Sequence, residues 1–272
     1  GGDLRPFSGK PVRLRFVLKD ADLYALQFVP YAPDPPLPKA VGLIPRKDTS
    51  RQPFVALDET FAGVPAGVSP TTDDLDPTPK PEGTGWKIVE GSPDRVQVLC
   101  DDPPGSGQRG TTPYLSVVRR DEKRGEGGCA WLVLSPQDAA DSTNGVAVLT
   151  ARIRVPSTNA YLADIDAFDD QPEGFHKRAF HVRFSPKGVV SYYDSEKEQP
   201  IAGVTIKPDT WQQVVIRADL RTATFDLTIE GQKATGLPFT HPDVHRLQSI
   251  SFGPNTSKCA LFVSSVKLEI TP

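Results

Sequence analysis

Arg152 and Arg154 stand two residues apart in VAVLTARIRV, and His181 and Arg183 repeat that spacing in AFHVRF, shortly before Tyr192 and Tyr193. Strand side chains alternate between faces, so residues two apart share one. With these strands side by side, Arg152, Arg154, His181, Arg183 and a tyrosine (Tyr192 or Tyr193) would form one outward cluster. A guanidinium forks onto a carboxylate or sulfate, so the cluster suits an acidic ligand. The competing reading is a plain solvated sheet face, on which Arg and Thr are ordinary.

Other reactive residue types are sparser. In YLADIDAFDD, Asp164 and Asp166 share a face if the segment is a strand, which would make a carboxylate pair. Asp is depleted from strands and common at turns, so an acidic loop at a sheet edge is the alternative. His241 and His245 in HPDVH lack the intervening Glu of a zinc-protease helix, and a surface turn is expected there. The nucleophile elbow G-x-S-x-G is missing, apart from the fragment Gly105-Ser106-Gly107. Cys100 and Cys129 fall in strands that could be neighbours; two of the three cysteines pair, or all three are buried thiols. Trp86, Trp131 and Trp211 are either core and rim packing or stacking surfaces.

The elements that must position these groups are strands. In TATFDLTIEG, Ala223, Phe225, Leu227 and Ile229 point one way while Thr222, Thr224, Asp226, Thr228 and Glu230 point the other. VAVLTARIRV, AFHVRFSPKGVVSYYD and WQQVVIRADL alternate similarly, and four such strands in succession are expected to form one face of a sandwich. Residues 1–30 read as a β-hairpin turning at Lys19–Asp22, and 31–53 as a Pro-rich linker or strap. Residues 54–272 then hold short strands separated by Pro- and Gly-rich loops, with single helical turns expected at Gln137–Asn144 and Pro242–Leu247. The fold class is all-β: a two-sheet antiparallel sandwich with an N-terminal hairpin.

The 272 residues carry 31 basic and 34 acidic side chains, a net charge of -3, which gives no reason to expect nucleic acid. No apolar run approaches the length of a membrane span, so membrane insertion is not expected. With 28 Pro, 22 Gly and 3 Cys, the chain is rich in turns and is no disulfide scaffold. It contains no Met and opens GGDLRPFSGKP without a signal sequence, so a processed chain or a piece of a longer one is expected.

Two resemblances follow from particular segments. SGKPVRLRFVLKDADLYALQF resembles the end of the catalytic part of large bacterial proteins built on a sialidase-like or five-bladed propeller related to glycoside hydrolases. The order DETFAGVPAGVSP, VQVLCDDPPG, RIRVP, WQQVVIRADL and VKLEI resembles the concanavalin A-like lectin/glucanase jelly roll, including its laminin-G-like branch, over residues 54–272. The second resemblance implies two curved sheets, pairing of the first and last strands, and a concave face that binds sugars. It also implies a structural calcium ion, for which Asp58, Glu59, Asp101 and Asp102 supply hard oxygens; no other cofactor is expected.

The enzymatic branches of that family carry E-x-D-x-E, or R-x-E-x-R with Q-x-H and Y-x-K, and neither set occurs here. Sialidase Asp boxes are also missing. The resemblances therefore imply a non-catalytic carbohydrate-binding or supporting domain of a secreted bacterial polysaccharide-processing protein, extracellular or periplasmic, following an upstream propeller. The expected partner is a polysaccharide, with an acidic glycan among the candidates. The alternatives are a glycoside hydrolase or lyase with an atypical site, and a structural or protein-interaction module.

Overall fold

Period-two sequence requires a strand to bury one face, and here two antiparallel sheets bury their apolar faces against each other. A computed structural model of the chain describes residues 52–62, 64, 66, 67, 85–89, 96–100, 113–119, 129–169, 177–195, 197–253 and 258–272. The chain divides into two units, Gly1–Asp48 and Thr49–Pro272, and the described residues all belong to the second. The expected hairpin of residues 1–30 and nearly all of the strap of 31–53 lie outside them.

The strands in chain order are β1 (Phe54–Glu59), β2 (Gly85–Val89), β3 (Val96–Leu99), β4 (Tyr114–Arg119), β5 (Cys129–Val133), β6 (Val146–Arg154), β7 (Ala163–Phe168) and β8 (Arg178–Phe184). They continue as β9 (Val189–Asp194), β10 (Lys197–Thr205), β11 (Gln212–Asp219), β12 (Thr224–Ile229), β13 (Gln232–Pro238), β14 (Ser249–Gly253) and β15 (Cys259–Thr271). One sheet has eight strands in the order β13-β12-β11-β6-β15-β4-β3, with β1 also pairing to β15; the other has seven, β10-β9-β8-β7-β14-β5-β2. The first and last described strands are thus partners, as expected. The expectation that the four central segments form one sheet is corrected. β6, β11 and β12 are neighbours in the eight-stranded sheet, whereas β8 and β9 belong to the seven-stranded one. The reason is that alternation fixes which face a strand buries but not which strand lies beside it.

The core between the sheets is built from the inward half of each alternation. Leu149, Ala151 and Ile153 of β6, Ile216 and Ala218 of β11, and Phe225, Leu227 and Ile229 of β12 meet Ile165, Phe180, Val182, Phe184, Ile250 and Phe252 from the facing sheet. Trp86 belongs to this core, with its ring 5.6 Å from Phe61 and 5.8 Å from Phe252. Turn chemistry closes the hairpins. Glu230 and Gly231 both have positive φ (46° and 85°) and join β12 to β13 in a two-residue loop, whose backbone twist matches that of paired strands. One helical turn, α1 (Pro136–Asp141), starts where Ser135 Oγ accepts from the Asp138 amide at 3.1 Å and Pro136 sits in the first turn.

Just beyond α1, Gly145 leads into β6 directly beneath the end of β15. A Cβ there would stand 2.4 Å from the Thr271 carbonyl oxygen and 3.2 Å from that of Ser142. Both neighbours are backbone and cannot swing aside. Gly145→Ala is expected to lower unfolding stability by about 1–3 kcal/mol, the usual cost of overpacking, as a reduced midpoint in urea denaturation. An unchanged midpoint would mean the closing strand yields freely.

Candidate functional site

On the outer face of the seven-stranded sheet, β7 (ADIDAF) sends Ile165 and Ala167 into the core and turns Asp164, Asp166 and Phe168 away from it. Register then chooses their neighbours. Asp164 pairs with Arg183 and Asp166 with His181 across β8, while Ser251 of β14 pairs with Asp166 on one side and Trp131 on the other. Beyond β8, Arg183 pairs with Ser191, and Tyr193 pairs with Glu198 of β10.

His181 lies between the two aspartates. Its Nε2 is 3.5 Å from Asp164 Oδ2 and its Nδ1 is 3.5 Å from Asp166 Oδ1. The imidazole stacks on the Tyr193 ring, with centroids 4.7 Å apart and planes 10° from parallel. Arg183 holds the outer end of the group: Nε donates to Asp164 Oδ1 at 3.1 Å, and Nη1 donates to Glu198 Oε2 at 2.8 Å and Tyr193 OH at 3.3 Å. Ser191 Oγ donates to the other Glu198 oxygen at 2.5 Å. At the inner end, Arg178 Nε is 3.1 Å from Asp166 Oδ1. That guanidinium lies 5.3 Å from the centre of the Phe168 ring, which stacks on Trp131 at 4.6 Å.

Burial separates the members. Asp164, Asp166 and His181 are 1%, 4% and 5% exposed, whereas Glu198 stands at 36%. Burial raises the Asp166 pKa above the ordinary carboxylate value, opposed by the charges of His181 and Arg178 and reinforced by Asp164. Burial works against the Arg183 charge, yet Asp164 and Glu198 outweigh it and hold the guanidinium's pKa above its usual value. Each of the two guanidiniums on this face is therefore held by at least one carboxylate.

The expected Arg/His/Tyr cluster divides between two sheets. His181, Arg183 and Tyr193 do come together. Arg152 projects exposed from β6 in the other sheet, and Arg154, on the same strand, is 1% exposed with Nη2 3.7 Å from Asp209. Tyr192 points into the sandwich, edge-on to Phe225 at 5.9 Å, because it alternates with Tyr193. Asp164 and Asp166 turn out to be strand residues rather than an edge loop; two Asp within an alternating run were the available signal. Arg178, Ser191, Glu198 and Ser251 were not anticipated, since only register brings them in.

Of the four expected calcium ligands, Glu59 accepts the Phe61 amide and Asp58 stands exposed opposite Lys267. Asp101 and Asp102 lie outside the described residues. His241 Nδ1 accepts the Arg178 amide at 3.0 Å and His245 Nδ1 meets the Leu220 carbonyl at 3.3 Å, so each ring is tied to a different backbone segment. None of the three cysteines is disulfide-bonded to another. Cys100 follows β3 and Cys129 opens β5, in different sheets.

No family model matches this chain, and no curated protein matches it. Among solved structures, a sialidase aligns at 12% identity and TM-score 0.47, over 68% of this chain and 17% of its own. The carbohydrate esterase vb_24B_21 from the Shiga toxin-encoding bacteriophage phi24B aligns at 12% and 0.47, over 81% of this chain and 100% of its own. The binding domain of botulinum neurotoxin DC, in complex with rat synaptotagmin II, aligns at 12% and 0.43, over 77% and 48%. This chain thus spans less than half the length of the sialidase and of the toxin domain.

Two outcomes test these environments. Cys259 Sγ faces the Tyr161 carbonyl at 3.4 Å, and burial, with the Asp164 charge behind it, pushes the thiol's pKa up to about 12. Native protein at pH 8 is expected to leave Cys259 unalkylated by iodoacetamide in peptide mass spectrometry, while the half-buried Cys100 and Cys129 label; rapid labelling of Cys259 would contradict this environment. Asp209 has its pKa lowered chiefly by hydrogen bonding to Ser157 and also by Arg154. A folded-state pKa below the unfolded one adds stability above the unfolded value, lost as pH falls through the folded one. The stability difference between wild type and Asp209→Asn is expected to be present at pH 7 and to shrink from about pH 5 downward. Asn tolerates the positive φ of 58° at this position, so the comparison isolates the charge.

Proposed function

We propose that residues 54–272 form a non-catalytic carbohydrate-binding module of the concanavalin A-like jelly-roll kind, working outside the cell within a bacterial polysaccharide-processing protein. The observation that carries this reading is the polar rim at the open end of the aspartate–histidine group. Glu198 Oε2 and Tyr193 OH converge on Arg183 Nη1, at 2.8 Å and 3.3 Å. Sugar hydroxyls donate and accept at once, and a rigid carboxylate, guanidinium and phenol offer both roles in one place. Both guanidiniums of this face are already compensated by carboxylates, which favours neutral hydroxyl-rich glycans over acidic ones.

Most glycoside hydrolases use two carboxylates that flank an accessible bond. Asp164 and Asp166 are 1% and 4% exposed, which supports a binding role over a catalytic one. Affinity gel electrophoresis against neutral and acidic polysaccharides tests the proposal. Wild-type protein should be retarded by a neutral polymer, and Glu198→Ala should weaken that retardation about tenfold, the equivalent of a charge-assisted hydrogen bond. Unretarded migration of wild type in every gel would sink the reading. Retardation by acidic polymers alone would show that the guanidiniums are less committed than their contacts imply.

A further inference from the structure

On the same face, Asp164 Oδ2, Asp166 Oδ1 and His181 Nε2 are buried and make no well-formed hydrogen bond: Asp164 Oδ2 and His181 Nε2 face each other at 3.5 Å, and Asp166 Oδ1 has ion-pair contacts to Arg178 Nε at 3.1 Å and His181 Nδ1 at 3.5 Å. Each residue is more than nine-tenths buried, and the three offer one atom apiece within 4.8 Å of one another. A buried carboxylate oxygen left unbonded is costly, and such groups call for an explanation by an ion, a water or a functional role. We propose that Asp164, Asp166 and His181 form a binding site for one divalent first-row transition-metal ion, of the zinc class. This inference does not rest on the glycan reading.

The geometry favours a cation in several ways. His181 Nε2 and Asp164 Oδ2 are 3.5 Å apart. Two atoms that each bind a zinc ion at about 2.1 Å with a tetrahedral angle stand roughly 3.4 Å apart. The pair is therefore spaced for a shared ion, and its contact is too long for a strong hydrogen bond. Asp166 Oδ1, from the same strand face, lies 3.5 Å from the other imidazole nitrogen, Nδ1. One imidazole nitrogen with two carboxylate oxygens is a borderline donor set, which suits zinc, cobalt or manganese better than calcium.

The partners around the three residues also behave as an outer shell. Arg183 takes Asp164 Oδ1 at 3.1 Å and leaves Oδ2 directed at His181, while Ser251 Oγ donates to Asp166 Oδ2 at 3.4 Å and Arg178 Nε lies 3.1 Å from Oδ1. Tyr193 fixes the imidazole plane by stacking at 4.7 Å. Groups that hold one oxygen and the ring plane orient the remaining atoms toward a metal. Three protein donors leave a further coordination position for water.

The test uses the full chain without affinity tags, stripped with chelator and titrated with cobalt(II), whose d–d bands report coordination. One equivalent per chain should develop visible bands without intense thiolate charge transfer, and zinc should displace it and raise Tm. His181→Gln and Asp164→Asn, each checked for folding by circular dichroism, should lose the bands and the Tm shift. If wild type develops no bands and zinc leaves its Tm unchanged, the proposal fails, whatever becomes of the variants. Bands that persist in folded His181→Gln, or that carry thiolate absorption, place the ion elsewhere and also overturn it. The titration contains no glycan, so its failure would leave the carbohydrate reading standing.

Discussion

The sandwich depends on what β15 must do. Its 13 residues pair with β6 along nearly their whole length on one side, and with β4 and then β1 on the other. A strand that long would normally keep one alternation phase. Here Leu261 and Val263 face the core in the first half, and Val266, Leu268 and Ile270 do so in the second. The phase changes at a bulge between Val263 and Ser265, where one extra residue lets both halves point inward. Without it, one half of β15 would turn its apolar residues to the solvent, and either β4 or β1 would lose a partner with a matching buried face.

That arrangement frees the opposite sheet to carry polar work on its outer face. Asp164 and Asp166 lie in β7, with β8 on one side and β14 on the other, and their side chains are nearly as inaccessible as the core. Buried carboxylates persist only with charge partners and hydrogen bonds. Register supplies Arg183, Arg178, His181 and Ser251 at neighbouring positions, but one oxygen on each aspartate and one imidazole nitrogen have only ion-pair contacts and no well-formed hydrogen bond. The polar rim of Glu198, Arg183 and Tyr193 meets the buried trio at two residues: Arg183 touches both Glu198 and Asp164, and Tyr193 stacks on His181.

Much of the strand content could be read directly. β6, β11 and β12 alternate without interruption, and their inward sets match the core. β10 could not be read that way: Ile201 and Val204 are its buried positions, the chain is broken by Pro200, and Gly203 has φ of 75°. It is an edge strand with a register shift between Pro200 and Thr205, where Pro and irregular pairing are tolerated. β13 is similar, with Gly236 at φ 66° on the edge of the other sheet. The ADIDAF segment was ambiguous because Asp disfavours strands in general, and its partners, which tertiary pairing alone brings near, are what make it tolerable there.

What the sequence by itself determined is the all-β class, the alternation that selects each inward face, and the shared face of His181 and Arg183. These are local properties, settled by a period of two within a few residues. The tertiary structure decided that Arg152 and His181 occupy different sheets, that Tyr193 rather than Tyr192 meets His181, and that Asp164 and Asp166 flank the imidazole. Trp131, Ser251 and Asp166 come from strands widely separated along the chain, and His181 from the strand that follows that of Asp166. Their approach is set by which strand pairs with which and in what register, and a strand's own alternation carries no information about its neighbour.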